Sequence, residues 1–344
     1  MQDEALFRVE EAIKSIKNGE MIIIMDDEDR ENEGDLVLAG VFSTPEKINF
    51  MAQEARGLIC VSITQEIAKA LDLPPMVGNN DSNHETAFTI SIDARSAKTG
   101  ISAYERDLTI RLMCKPDAKP SDFVRPGHIF PLTAKEGGVL ERTGHTEASV
   151  DICKLAGLSP IGVICEIMKK DGLMARRGDR FLSEFAKKHH LNILYVSDLI
   201  QYRLRFEQLI RIVSDEKSNF FGFCVRKILV SDYLQRSHVV FAFKEAKVPC
   251  VKFHIVRQDL LLLVDKPQYD SLINSIAFLQ KEGGYLVFLA TQDNRDIKDL
   301  GIGAQILKAL GVENFRLLSR SQVDEGEYAV LSGFNLKILD KISV

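Results

Sequence analysis

No tryptophan occurs among the 344 residues, and the six cysteines, at 60, 114, 153, 165, 224 and 250, are scattered so that no two stand two to four positions apart. A compact thiolate zinc site of the C-x-x-C kind therefore has no support. Excess positive charge is missing as well. Lys and Arg total 44 against 49 Asp and Glu, a formal net charge of −5, which argues against broad electrostatic binding to nucleic acid or an anionic membrane. Apolar runs such as 21–25 and 260–264 fall far short of the ~20 residues needed to span a bilayer. The opening MQDEAL lacks the basic start and apolar stretch of a secretory signal. The expectation is a cytoplasmic protein with reduced thiols.

The length suggests two domains, and 45% apolar with 27% charged residues is the composition of an ordinary globular chain. Val9, Ala12, Ile13 and Ile16 predict a helix stopped at Asn18-Gly19, and 20–25 a short buried strand. A Pro at the first helical position opens a helix at Thr44-Pro45. Strands are expected over 57–63, 87–92, 108–113 and 161–168, and helices over 65–71, 147–156 and 181–189. The irregular alternation favours an α+β or mixed sandwich over a strict βαβ repeat. Between 115 and 148 the chain is rich in Pro, Gly, His and Arg, and a connection that long is usually functional. A helical connector is expected over 197–212, with the boundary near 203. Beyond it, strand-like runs stand at 223–230, 239–243, 260–264 and 285–290.

Four constellations could carry chemistry. In the stretch 26–35, DDEDRENEGD, seven of ten residues are acidic; such a run is ordinarily a solvated face. It follows a buried strand directly, however, where α/β-type sites tend to sit. It fails as a calcium loop, because counting from Asp27 the sixth position is Asn32 and the twelfth is Leu38. A looser site remains, with one or two carboxylates holding Mg²⁺. Next come two similar strings, RPGH at 125–128 and RTGH at 142–145, each with an Arg three residues before a His. His145-Thr146 precedes a predicted helix, so free N–H groups could hold an anion there, with Arg142 as a charged partner. Glu166 sits in an apolar strand, either at an exposed edge or buried and suited to acid–base work. The turn 99–102, TGIS, could bind phosphate or be a plain loop. Cys60 reads as a buried core thiol.

Together these strings resemble, in order over about 200 residues, the 3,4-dihydroxy-2-butanone 4-phosphate synthase family. The matching segments are DDEDRENEGD (26–35), RGLIC (56–60), TGIS (99–102), RPGHIFPL (125–132) and RTGHTEA (142–148), followed by MAR (174–176) and VSDLI (196–200). The resemblance implies an α/β sandwich over 1–203 acting on D-ribulose 5-phosphate, with Mg²⁺ or Mn²⁺ held by Glu31 and His145. It implies that Arg30, Glu31, Asp35, Thr99, Arg142, Thr143, Gly144, His145, Thr146 and Glu166 bind the substrate. It also gives His128 and Glu166 essential parts in the reaction, with Glu33, Asp26 and Cys60 lining the site. A homodimer with sites near the subunit interface is implied too, in an enzyme of riboflavin biosynthesis that enolises the sugar and releases one carbon as formate.

Residues 204–344 resemble a degenerate GTP cyclohydrolase II domain, a smaller mixed α/β unit, best over DLGIGAQIL at 299–307. That family needs three cysteines for a catalytic zinc, two of them in a C-x-C pair. This half holds only Cys224 and Cys250. His254 is followed by Ile255-Val256-Arg257 where the first zinc cysteine belongs, and a family loop is deleted around 294–299. No zinc and no GTP hydrolysis are expected. The alternatives are a second, GTP-hydrolysing activity or a ligand-binding or regulatory module.

Overall fold

The computed structural model describes residues 2–28, 30–84, 86–256, 258–290, 297–319, 334 and 336–344. Two compact units are present, Met1–Tyr202 and Arg203–Val344. In the first, the elements run α1 (Gln2–Lys17), β1 (Ile22–Met25), β2 (Gly34–Ala39), α2 (Pro45–Phe50), β3 (Cys60–Ile63), α3 (Gln65–Ala70), β4 (Ile92–Ala94), α4 (Ala103–Met113), β5 (Phe123–Thr133), α5 (His145–Leu155), β6 (Gly162–Glu166), α6 (Arg180–His189), β7 (Asn192–Tyr195) and α7 (Val196–Phe206), the last running on into the second unit. The strands form one mixed sheet in the order β4-β5-β3-β6-β2-β1-β7.

Local chemistry explains most of these boundaries. Gly19, at φ +78, takes the left-handed turn after α1. Thr44 caps α2 by accepting the Lys47 N–H at 3.3 Å, with Pro45 at the first position. On one face of the sheet, Leu36, Leu38, Val61, Ile63, Val163 and Cys165 are buried in a core that also holds residues of α2, α3, α4 and α6. Helix α5 packs against β2, β3 and β6, and every residue from His145 to Cys153 is buried. Gly162 is where it comes closest: a Cβ there would stand 2.7 Å from that of Ser149.

Several expectations fail. The strand expected over 87–92 is reduced to isolated bridges at Phe88 and Thr89, with β4 beginning only at Ile92. Residues 108–113 are the end of helix α4, not a strand; Leu108, Ile110 and Leu112 alternate, but the Ser102 cap and Glu105 set a helical start upstream. The irregular connection expected over 115–148 contains the eleven-residue strand β5, so RPGH at 125–128 lies in a strand. The run 260–264 is helical, within α8 (Asp259–Val264).

The second unit carries β8 (Ile210–Phe220), β9 (Phe223–Asp232), β10 (Ser237–Ala242), β11 (Cys250–Ile255), α8, α9 (Lys266–Glu282), β12 (Gly284–Leu289), α10 (Ile297–Ala309), β13 (Asn314–Ser319) and β14 (Lys337–Ser343). Its sheet order is β14-β13-β11-β12-β10-β9-β8. The connector expected as one helix over 197–212 is helical only to Phe206 and turns into β8 at Ile210. Among the described residues no helix is long and apolar enough to cross a membrane, and all six cysteines are free thiols.

Candidate active site

Strands β2 and β6 run antiparallel with Asp35 directly opposite Glu166, and Cys60 on β3 opposite Ile164. Opposed residues share a face, so two carboxylates and a thiol come together at one end of the sheet. The N-terminus of α5 lies over that face and brings Arg142, His145 and Thr146. The loop between β1 and β2 adds Arg30, Glu31 and Glu33. All nine of these side chains line one cavity of about 420 Å³, along with His84, Thr86, Phe88, Leu132 and Ile164.

Asp26 organises the acidic loop from below. It is 1% exposed. Its carboxylate accepts the Arg30 Nη1 at 2.7 Å, the Glu31 N–H at 3.1 Å and the Glu33 N–H at 2.8 Å. The run is therefore not a solvated face. One of its acids is a buried turn centre that aims Glu31 and Glu33 into the cavity.

His145 is buried against this loop. Its Nε2 donates to the Glu33 carbonyl at 3.1 Å, its Nδ1 stands 3.7 Å from Glu31 Oε2, and its Nε2 is 3.9 Å from Asp35 Oδ1. Burial disfavours its charge, but Asp35 and Glu31 outweigh that and push it up to about 9. Burial would raise Glu31; hydrogen bonding to His145 and the charge of Arg30 instead hold it at about 2. Asp35 goes the other way, pushed by burial up to about 7, and its buried Oδ1 has no hydrogen-bond partner. Burial and the neighbouring Glu31 also raise Glu33. Burial, with the charges of Glu166 and Asp35, raises the Cys60 thiol, which disfavours a thiolate there. Glu166 is half-buried, and its Oε2 accepts the Leu58 N–H at 2.8 Å.

A ligand set follows from this arrangement. Atoms of Asp26, Glu31 and His145 lie within 4.8 Å of one another. Because a backbone carbonyl takes the Nε2 proton, Nδ1 is the nitrogen turned toward Glu31, the usual way a metal-binding imidazole is oriented. Asp26 already spends its oxygens on three donors, leaving Glu31 and His145 as the natural pair. The carboxylate oxygens suit a hard divalent cation such as Mg²⁺.

Five expected residues lie outside the cavity lining. Asp26 is beneath it, and Thr143 and Gly144 shape the loop before α5. His128 and Thr99 belong to another cluster. His128 is exposed on β5, with its Nδ1 2.8 Å from Asp93 Oδ2 and its own N–H on Asp93 Oδ1 at 2.8 Å. Thr99 gives its hydroxyl to Glu105 at 3.0 Å, and Glu105 also takes the Lys98 and Gly100 amides. The 99–102 turn thus spends its donors on its own chain and is no phosphate cradle in this conformation. The two R-x-G-H strings also part company: Arg125 donates to the Leu71, Asp72 and Pro120 carbonyls, whereas Arg142 lies at the cavity. Sequence reading missed His84, Thr86, Phe88, Leu132 and Ile164, whose only signal is position. It also missed Asp93, an acid inside a strand, and Glu147, a buried acid in the first turn of a helix.

In the second unit, DLGIGAQ is a packing device. Asp299 accepts Arg236 Nη1 at 3.0 Å. Cβ atoms at Gly301 and Gly303 would crowd Leu204 and Phe253. Gln305 accepts the Leu209 N–H at 3.0 Å and donates to the Leu204 and Glu207 carbonyls at 2.7 and 2.8 Å. Cys224 is exposed on β9 and Cys250 buried on β11. Arg257 and the 294–296 part of the expected deletion lie outside the described residues.

Comparison with known proteins agrees with this division. The family signature of 3,4-dihydroxy-2-butanone 4-phosphate synthase matches residues 10–202, and that of GTP cyclohydrolase II matches residues 254–343. A 3,4-dihydroxy-2-butanone 4-phosphate synthase of Helicobacter hepaticus is 65% identical over 98% of this chain and 99% of its own. The riboflavin biosynthesis protein RibBA of Bacillus subtilis is 42% identical, over 97% and 92%. Among solved structures, RibBX of A. baumannii, a two-domain 3,4-dihydroxy-2-butanone 4-phosphate synthase, superposes with a TM-score of 0.83 at 39% identity, covering 98% and 99% of the two chains. A synthase in complex with two magnesium ions matches 58% of this chain and 97% of its own at 42% identity and a TM-score of 0.54. With a family signature over more than half its length and a relative this similar from end to end, the chain belongs to the 3,4-dihydroxy-2-butanone 4-phosphate synthase family of lyases.

Proposed function

We propose that the first unit converts D-ribulose 5-phosphate into L-3,4-dihydroxy-2-butanone 4-phosphate and formate, with Mg²⁺ or Mn²⁺ on Glu31 and His145. The observation that carries this reading is one cavity whose lining joins the Glu31–His145 pair, Asp35 and Glu166 to Arg142 and the N-terminus of α5. A sugar phosphate has the matching groups, an anionic end and a polyol end that must lose protons.

When bound, the cation supplies Lewis acidity to the sugar's ketone and hydroxyl oxygens. The remaining work falls to the chain. Arg142 and the α5 amides bind the phosphate. Asp35, pushed by burial up to about 7, is suited to take and return protons near neutral pH, and burial raises Glu33 in the same direction. Glu166 is held in place by the Leu58 amide, and Gly57 lets it approach, since a Cβ there would collide with it. Cys60, Phe88, Leu132 and Ile164 give an apolar wall that limits water.

The reading extends to a homodimer. Ile101, Tyr104 and Leu108 are 54%, 71% and 40% exposed at helical spacing beside the His128–Asp93 pair, an apolar stripe that a second copy would cover. Its site being near that interface reconciles an essential His128 with its place outside the cavity of its own chain. Asp93 takes the Nδ1 proton and leaves Nε2 facing outward.

The second unit, in this reading, does not hydrolyse GTP, since it offers two distant cysteines and a DLGIGAQ segment used for packing. A structural role in the cytoplasmic dimer is left to it. The test gives purified protein ribulose 5-phosphate with Mg²⁺, and separately GTP with Zn²⁺, and measures formate in both. Formate from the pentose, lost in Glu31→Ala, is expected. None from the pentose would overturn the lyase reading, and formate from GTP would overturn the silent second unit.

A further inference from the structure

We propose that Glu147 is a positioning residue for the substrate's phosphate, acting through Arg142. The inference rests on the reading that Arg142 meets that phosphate and adds what holds the guanidinium there. The Glu147 side chain is 1% exposed and that of Arg142 16%, and Glu147 Oε2 accepts Arg142 Nη1 at 2.7 Å. The other carboxylate oxygen accepts the Lys135 N–H at 3.1 Å. Across the guanidinium, the His84 carbonyl accepts Nη2 at 2.8 Å and Nε at 3.3 Å, and Thr86 Oγ1 accepts Nη2 at 3.3 Å. Gly144 permits the arrangement: a Cβ at that position would run into Arg142 Nη1 and stand 2.9 Å from Glu147 Oε2.

The geometry has a chemical consequence. A guanidinium carries five N–H donors, and these contacts engage Nε, Nη2 and one side of Nη1. The Nη1 edge is what remains for a ligand, so Arg142 meets the phosphate as one directed donor and not as a free fork. An unsupported arginine would sample many rotamers and lose entropy on binding. Glu147, fixed by a backbone amide on its far oxygen, removes that cost. Its charge also tempers the arginine, so the site grips an anion without trapping the product.

The test is steady-state kinetics of the full-length, Mg²⁺-loaded enzyme, with inorganic phosphate as competitive inhibitor. The variants are Glu147→Gln, Thr86→Val, Arg142→Ala and Glu147→Gln combined with Arg142→Ala. Glu147→Gln keeps the volume but offers one acceptor where Arg142 and the Lys135 amide need two. The expected result is a parallel rise of about fivefold or more in KM and in the phosphate Ki, with kcat within about twofold. Thr86→Val, which loosens the same guanidinium from its other side, raises both by about twofold. In the Arg142→Ala background the Glu147 change adds nothing. A fall in kcat at unchanged phosphate Ki, or a full Glu147 effect without Arg142, would overturn the proposal. If Glu147→Gln does not fold, Thr86→Val carries the test alone, and an unmoved Ki there overturns it. An unmoved Ki in Arg142→Ala would remove the phosphate reading itself, and the positioning role with it.

Discussion

Asp26 shows how one side chain can set a whole site. Its three accepted hydrogen bonds fix the turn that presents Glu31 and Glu33, and it does so without lining the cavity. Asp26→Asn replaces one acceptor with a donor facing N–H groups. The expected cost is about 1–3 kcal/mol of stability, read by urea unfolding, and a loss of ~10²-fold in formate release, since small displacements of positioned groups are expensive. Sequence reading found this stretch because acids are dense there, but density does not say which acid is structural. That distinction is set by burial, which separates Asp26 from Glu31 only once the chain is folded. Asp93 and Glu147 carry the same lesson in reverse. Each is a lone acid with no neighbour of its kind in the sequence, and each is chosen by its partner: His128 reaches Asp93 from another strand, and Arg142 folds back onto Glu147 from the preceding loop.

At the scale of elements, the misread segments share a cause. Residues 108–113 alternate like a strand, but the Ser102–Glu105 cap at the start of α4 outranks six residues of alternation. Strand β5 hides because Pro126, Gly127 and Pro131 interrupt its pattern, although Gly127 is required there: a Cβ would strike the backbone at Ile92 and Asp93. The stretch 260–264 has the length of a buried strand, yet forms a surface helix in which Leu260, Leu263 and Val264 are 65–70% exposed. Helix α1 was legible because its apolar period and its Asn18-Gly19 stop agreed. Element-level clamps are testable too. Gln305→Ala leaves the Leu204 and Glu207 carbonyls and the Leu209 amide without their buried partner. A loss on the order of 3 kcal/mol is expected in denaturant unfolding, with formate release from native protein unchanged. Gly57→Ala pushes Glu166 off its place beside Asp35, and kcat should fall more than tenfold while the far-UV spectrum is kept.

At the scale of the whole molecule, the second unit has a pH-sensitive clamp of its own. In the second unit Asp232 accepts Arg236 Nε at 2.6 Å, His238 Nε2 at 3.2 Å and two backbone amides. Burial would raise its pKa, but His238 and Arg236 more than reverse that and hold it below the ordinary carboxylate range. A depressed folded pKa contributes stability that is present above the unfolded value and lost as pH falls through the folded one. Unfolding of this unit should therefore become easier below about pH 4. Asp232→Asn should flatten that dependence and cost about 3 kcal/mol at neutral pH, both measured by thermal melts across pH. The proposed dimer has its own test. Mixing His128→Ala with Glu166→Gln, each inactive alone, should restore about a quarter of the activity if a two-fold pair shares residues across its interface, since half the pairs are mixed and each has one intact site. No recovery after subunit exchange would place both residues in one chain's site.

The pairing of Asp35 with Glu166 carries a consequence of parity. Side chains in a strand alternate faces with a period of two, so an odd step in register turns a site side chain to the opposite face, while an even step keeps the face. With the start of β6 anchored, deleting one residue before Glu166 would set that carboxylate opposite Leu36, aimed into the apolar layer beneath the sheet. The loop between β1 and β2 is under no such rule, because its register is set by hydrogen bonds to Asp26. Insertions along this chain should be read modulo two in the strands and by contact in the loops.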